Sequence, residues 1–299
     1  MATEPYLLDL GNHGLIVGMA THDTFLELTQ PHGGHESVIP VVTSTERLGG
    51  KGLLAARAFD SVAPGRCSLL AEVATAGSMF KGLPYGRAAL LETREKDARV
   101  WVITGSDGDQ RTFIQRSHRT LDREEFAKRV IDALLPASWV YVSAEDLDII
   151  QAVDVFLSHT PARTPPRLIL NPCTPLLDIL ADDPSLLERL FKTAELILLN
   201  RHEHRALRVR LGPRLYEMAS AVVITNGKRG GSFSVDGGRT WTSFRAYPTS
   251  KPRATAAGAG DIFNGSFMGC LALGLDIKQA VLRAARAATE YIDDLRGDL

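Results

Sequence analysis

A doubly wound α/β fold is what this 299-residue sequence predicts, on three observations. Short apolar runs recur along the chain, amphipathic helical stretches separate several of them, and each run ends on a small or polar residue. "HGLIVGMA", "ARVWVITG", "SWVYVSA", "PRLILNP", "AELILLN" and "SAVVITNG" read as strands of about five residues. Near-continuous apolar runs suit strands covered on both faces, as in a parallel sheet. "DREEFAKRVIDALL" and "PSLLERLFKTA" carry apolar residues at helical spacing. Strand, helix, strand in repetition gives βαβ units. Ligands of such sheets lie beyond the carboxyl ends of the strands, so the polar strand endings are where a site belongs.

The stretch from Thr24 to Leu48, "TFLELTQPHGGHESVIPVVTSTERL", breaks the rhythm. It is rich in Thr, Val, Gly and Pro without a helical period, and predicts a small antiparallel excursion from the main sheet. "VWVITGSDGDQRTFIQRS" predicts a hairpin around Gly105 to Gln110 that joins it. Internal repeats, low-complexity tracts and an interdomain linker are absent, so residues 1–299 read as one domain.

Bulk chemistry narrows the class. Hydrophobic residues make up 44 % and charged residues 23 % of the chain, an ordinary globular composition. A formal net charge of −1 supplies no basic field for nucleic acid or an anionic membrane. Cys67, Cys173 and Cys270 are too scattered for a disulfide framework or a structural zinc site. The opening residues do not read as a signal peptide, and no apolar stretch reaches the ~20 residues of a membrane span. A soluble enzyme of the reducing cytoplasm, acting on a small molecule, is the expectation.

One segment concentrates the chemistry. In "RATAAGAGDIFNGSFMGCLALG", Gly258, Ala259 and Gly260 bring bare backbone to the start of an apolar helix, and Asp261 is the first charge behind them. Unpaired N–H groups and the helix dipole together make an anion site there. Phosphoryl transfer uses such a site for the moving charge and an adjacent base for the acceptor's proton. The same residues also suit a plain loop-to-helix junction with a first-turn acid. Elsewhere, Asn200 and Glu203 have the spacing of a capping box. Gly49 and Gly50 have that of a tight turn. Lys51 follows them without the surroundings of a P-loop.

The segment "GAGDIFNGSFMGCLALG" resembles the C-terminal signature of the PfkB, or ribokinase-like, family of sugar and nucleoside kinases. Further segments resemble that family in the same order along the chain. "VGMATHD" is similar to the first strand, whose terminal aspartate, here Asp23, holds substrate hydroxyls. "RLGGKG" is similar to the glycine-rich substrate loop, giving Gly49, Gly50 and Lys51. "LILNPCTP" is similar to the strand around Asn171, and "LILLNRHEHRAL" to the N-x-x-E segment with Asn200 and Glu203. "VVITNGKRGG" is similar to the nucleotide segment with Thr225, Gly227 and Gly230, and Arg111 falls where the family has a lid arginine.

The resemblance implies a three-layer α/β/α sandwich with about eight or nine mostly parallel strands. It also implies a small β lid, formed here by about 24–48 and about 98–120. It further implies transfer of the ATP γ-phosphate to a hydroxyl of a sugar or sugar-containing molecule. Asp261 would be the base, and the N–H groups of Gly258, Ala259 and Gly260 the anion hole. Asn200 and Glu203 would organise Mg²⁺, and a homodimer through the lid is open. Two departures stand out. Thr255 replaces the aspartate associated with a monovalent cation, which puts K⁺ activation in question. Leu54 replaces an asparagine that grips sugar. A nucleoside kinase of the same family, or a non-catalytic sugar- or nucleotide-binding relative, are the alternatives.

Overall fold

The computed structural model describes residues 8, 10–11, 13–30, 39–80, 89–106, 110–143, 145–159, 165–173, 177–178, 183–212, 214–250 and 256–294. Strands are β1 (Gly14–Gly18), β2 (Thr21–Leu28), β3 (Val41–Gly49), β4 (Cys67–Ala74), β5 (Ala89–Arg94), β6 (Ala98–Thr104), β7 (Gln110–Gln115), β8 (Trp139–Ser143), β9 (Arg167–Leu170), β10 (Ala194–Asn200), β11 (Ala221–Thr225), β12 (Gly231–Ser234) and β13 (Thr242–Phe244). Helices are α1 (Lys51–Val62), α2 (Arg123–Leu134), α3 (Leu147–His159), α4 (Pro184–Thr193), α5 (Arg201–Leu211), α6 (Arg214–Glu217), α7 (Ala259–Ala272) and α8 (Ile277–Asp294).

Nine strands form the central sheet in the order β13-β12-β11-β10-β9-β8-β1-β4-β5. The run from β11 to β5 is parallel throughout, and the hairpins to β12 and β13 add two antiparallel strands at one edge. The apolar runs explain this order, because a parallel strand must satisfy two covered faces. Along β1, Ile16 packs into the layer of α1, α7 and α8, while Leu15 and Val17 pack into that of α2 to α6. Trp139 and Tyr141 of β8 likewise face the first layer, and Val140 and Val142 the second. Helix starts are set by local chemistry. Asp122 accepts from the Glu125 amide at 2.9 Å, and Asp183 accepts from the Leu186 amide just ahead of Pro184.

The second sheet has four strands, β3-β2-β6-β7. It gathers the excursion and the hairpin as expected, with one difference: β2 and β6 run parallel. "ARVWVITG" therefore contributes to the lid rather than to the main sheet. The lid also begins earlier than Thr24. Asp23 lies within β2, in register with Arg47 of β3, and not at the end of the first strand. Parts of the lid segments, residues 31–38 and 107–109, fall outside the described residues.

The lid's second stem is tied down by charge. Arg94 and Arg119 bridge Glu72 and Asp146 at 2.7–3.1 Å, and Arg119 reaches Asp148 at 2.5 Å. The Arg119 guanidinium also lies 3.6 Å over the Phe126 ring.

Close helix packing holds the other layer together. A Cβ on Gly265 would sit 2.1 Å from the Ala55 carbonyl oxygen, and one on Gly269 would sit 2.8 Å from Val62 Cβ. The α1–α7 crossing therefore needs both glycines. Gly265→Ala should lower stability by about 1–3 kcal/mol through overpacking. Chemical denaturation checks this, and an unchanged midpoint would show that the crossing yields freely.

Candidate active site

The carboxyl ends of the parallel strands and the inner face of the lid enclose a cleft of about 160 Å³. Three walls line it. The lid supplies Asp23, Phe25, Arg47, Val100, Val102, Thr112 and Ile114. The glycine loop and α1 supply Gly50, Lys51 and Leu54. The third wall holds Glu145, Ala257, Gly258, Asp261 and Tyr291.

Gly258 caps α7 with φ +85°, in the left-handed region. A Cβ there would meet Leu54 Cδ1 at 2.7 Å and the Tyr291 hydroxyl at 2.8 Å, so conformation and space both select glycine. Gly260 is exposed, with open space where a Cβ would stand. The amides divide. Ala259 donates to the Ala256 carbonyl at 3.1 Å, and Asp261 to that of Gly258 at 3.0 Å. The expected trio of donors is thus reduced, because the Ala259 N–H is already engaged.

Asp261 sits half-buried in the first turn of α7. Burial raises its carboxyl above the ordinary range; Lys51 opposes this and Glu145 adds to it. Lys51 opens α1 directly behind Gly50, where a φ of +94° and the Met19 carbonyl oxygen, 2.6 Å from where a Cβ would stand, both select glycine. Burial works against the Lys51 ammonium, yet Asp261, Cys173, Glu145 and Glu203 hold it above its ordinary value. One fixed cation thus stands among three carboxylates.

Asp23 is 8 % exposed and accepts a hydrogen bond from the Thr21 hydroxyl. Burial raises its carboxyl, opposed by Thr21 and Arg47. Gly49 has to be glycine beside it, since a Cβ would fall 1.9 Å from Asp23 Oδ2.

Asn200 and Glu203 form the capping box their spacing suggests. The Asn200 side chain accepts from the His202 and Glu203 amides, and Glu203 Oε2 accepts from the Asn200 amide at 2.8 Å. Glu203 is 3 % exposed, and burial raises its carboxyl. A polar chain links it to the α7 helix. Asn264 Nδ2 donates to the Tyr141 hydroxyl at 3.0 Å, and Tyr141 is hydrogen-bonded to Ser143. Ser143 donates to Asn171 Oδ1 at 3.0 Å, and Asn171 Nδ2 donates to Glu203 Oε2 at 3.5 Å. The network fixes α7 against the sheet one turn beyond Asp261.

Thr225 ends β11 beside Asn200 in register. Gly227 and Gly230 follow in a short 3-10 turn with positive φ. Gly230 has a purely internal reason to be glycine: a Cβ would lie 2.1 Å from the Phe244 carbonyl oxygen. These residues stand outside the cleft, along the adjoining strand ends.

Arg111, predicted at the substrate site, does not line the cleft. It alternates with Thr112 and Ile114 on β7, which line the cleft, so it belongs to the lid's exposed outer face with Phe113. Arg116 takes a place at the site instead. Its guanidinium holds Glu145 Oε2 at 2.9 Å and the Glu145 carbonyl at 3.0 Å. Thr255 lies outside the described residues. Glu145, Arg47 and Tyr291 were not singled out from the sequence. Glu145 had a usable signal, because it stands two residues beyond the apolar run "WVYVS", at a strand's carboxyl end.

The fold has counterparts among known proteins. Residues 169–294 match the model of the pfkB family carbohydrate kinases. No curated protein sequence matches the chain. Among solved structures, the Burkholderia thailandensis nucleoside kinase in complex with inosine superposes with a TM-score of 0.73 at 17 % identity, over 92 % of this chain and 89 % of that one. The Methanocaldococcus jannaschii nucleoside kinase, an archaeal member of the ribokinase family, gives 0.72 at 17 % identity, over 94 % and 92 %. The Cryptococcus neoformans ribokinase in complex with ADP gives 0.72 at 18 % identity, over 95 % and 94 %. Together these similarities support a sugar or nucleoside kinase. Residues 169–294 thus resemble the PfkB family, and the chain has the fold of the ribokinases and nucleoside kinases on which it superposes.

Proposed function

We propose that the protein transfers the γ-phosphate of ATP to a hydroxyl of a sugar or sugar-containing small molecule. The observation that carries this reading is the convergence of Asp23, Lys51 and Asp261 on one cleft, directly behind the Gly258 turn. Asp23 would hold acceptor hydroxyls. Asp261 would take the proton of the attacking hydroxyl as its oxygen bonds to the γ-phosphorus. The bond from that phosphorus to the β,γ-bridging oxygen breaks, and ADP leaves with the electron pair. Lys51 and the free N–H groups of the turn offset the negative charge on the phosphoryl oxygens. Thr225, Gly227 and Gly230 would border the nucleotide.

Among the described residues no group of three His, Cys, Asp or Glu side chains converges to hold a metal. Mg²⁺ needs none, because it takes one or two carboxylates together with phosphate oxygens and water. The buried Glu203 carboxylate, positioned by Asn200, fits that demand. Bound there, the ion would neutralise phosphate charge.

A nucleoside acceptor is the second reading, favoured by the apolar wall of Leu54, Val100, Val102 and Ile114. A cytoplasmic place accords with ATP as donor and with the three buried free thiols. Pairing of two copies through the lid accords with its edge strands, where Val42 is 61 % and Phe113 53 % exposed.

ATP-dependent ADP release with Mg²⁺, with and without K⁺, across pentoses, hexoses, amino sugars and nucleosides tests the reading. Turnover on one acceptor class is expected. Binding of acceptors without any turnover would replace it with the non-catalytic alternative.

A further inference from the structure

Arg47 and Tyr291 have no part in the scheme above, yet both line the cleft. Arg47 lies half-buried on β3, directly across the register from Asp23. Its guanidinium carbon sits 3.9 Å above the Phe25 ring and 5.7 Å from the Tyr291 ring centroid. The stacking leaves the edges of the planar fork, with their N–H groups, for a partner in the cleft. It also covers one face of Phe25, which is then closed to an aromatic base.

Tyr291 supplies the second observation. Its hydroxyl is buried against Gly258 and has no hydrogen-bond partner among the described residues. A buried polar atom left unpaired costs free energy that a ligand can return. Burial raises the Tyr291 pKa, opposed by Arg47 and reinforced by Asp261 and Asp23, so the group stays a donor at neutral pH.

A forked cation and an orphaned hydroxyl donor thus border one part of the cleft. We infer that the acceptor carries an oxyanion, a carboxylate or a phosphate, bound by Arg47 and the Tyr291 hydroxyl while Asp23 holds its hydroxyls. The inference rests on the cleft being the acceptor site; it names a substrate class the kinase reading leaves open.

The test separates the two readings by measuring binding apart from turnover. Calorimetry without ATP compares matched pairs: a sugar against its aldonate, and a sugar against its phosphate. The native chain, Arg47→Met, Arg47→Lys and Tyr291→Phe are compared, and ADP release is followed on the same pairs. The native chain should bind one anionic member roughly 30- to 1,000-fold more tightly than its neutral partner, the range of a paired buried charge. The aldonate and phosphate arms identify which oxyanion it is. Arg47→Met should bring that ratio close to one. Arg47→Lys should restore it in part, and Tyr291→Phe should lower it several-fold.

Equal or tighter binding of the neutral members by the native chain overturns the inference and leaves the kinase reading intact. So does an anionic preference that survives Arg47→Met. A native preference for the anion that depends on Arg47, without ADP release on any acceptor, supports the inference while overturning the kinase reading.

Discussion

Asp261→Asn should lower kcat by roughly 10²- to 10⁴-fold, the contribution of a positioned base. The amide matches the carboxylate in size and cannot accept the proton. Acceptor affinity should change far less, because the lost interaction belongs to the transition state. The pH dependence sharpens the expectation. Burial and Glu145 raise the Asp261 carboxyl against the pull of Lys51. The acid limb of kcat/KM should therefore fall at a pH above the usual carboxylate range, since only the ionised form is a base.

The sign for stability is opposite. A carboxyl raised in the folded state binds its proton more tightly there than in the unfolded chain. Its stabilising share is complete below the unfolded pKa and is lost as pH rises through the folded one. At neutral pH the ionised Asp261 is thus a burden, and the Asn variant should melt no lower than the native protein. A variant that retains near-native kcat would remove Asp261 from the mechanism. One that is inactive and melts well below the native chain would show a structural role instead.

Arg119→Met should cost about 3–5 kcal/mol of folding stability, as expected when one partner of a buried ionic cluster is removed. Arg119 binds Glu72, Asp146 and Asp148 at once, with only 13 % of its side chain exposed. Methionine fills part of the volume but leaves three carboxylates sharing Arg94 and Arg123. The control is Arg123→Ala. Arg123 also bridges Asp148, at 2.9 Å, but is 67 % exposed, so its loss should cost below about 1 kcal/mol. Urea denaturation of both variants decides the matter. Similar small losses would mean that water repairs the Arg119 site, and that the cluster does not hold the lid stem.

The parallel core was legible because a strand buried on both faces leaves an unbroken apolar run. β1, β8, β9, β10 and β11 all announce themselves in that way. The edges did not. β5 reads "ALLETR" and β13 "TSF", short and partly polar, as suits strands with a neighbour on one side. Lid strand β3, "VVTSTERLG", has alternate residues exposed and no long apolar signal. Among site residues, Asp261, Lys51 and Gly258 were visible because glycines flank them in the sequence, and Asp23 only through the resemblance of its segment. Arg47 and Tyr291 were hidden because their place depends on tertiary register. Arg47 reaches the cleft through its pairing with β2, and Tyr291 through the last turns of a helix more than two hundred residues away. Arg111 failed for a local reason: one step along β7 exchanges the cleft for the outer face.

The α1–α7 crossing has a consequence for how the molecule is made. Leu53, Ala56 and Phe59 of α1 leave the ribosome about two hundred residues before the helix that packs on that layer. Throughout that interval the emerging chain carries an uncovered greasy strip, the kind of surface that chaperones bind. Asp23 and Lys51 are also in place long before Asp261 emerges. On the proposed reading, a growing chain therefore acquires its grip first and its reactive group last, when the final layer closes over the strip.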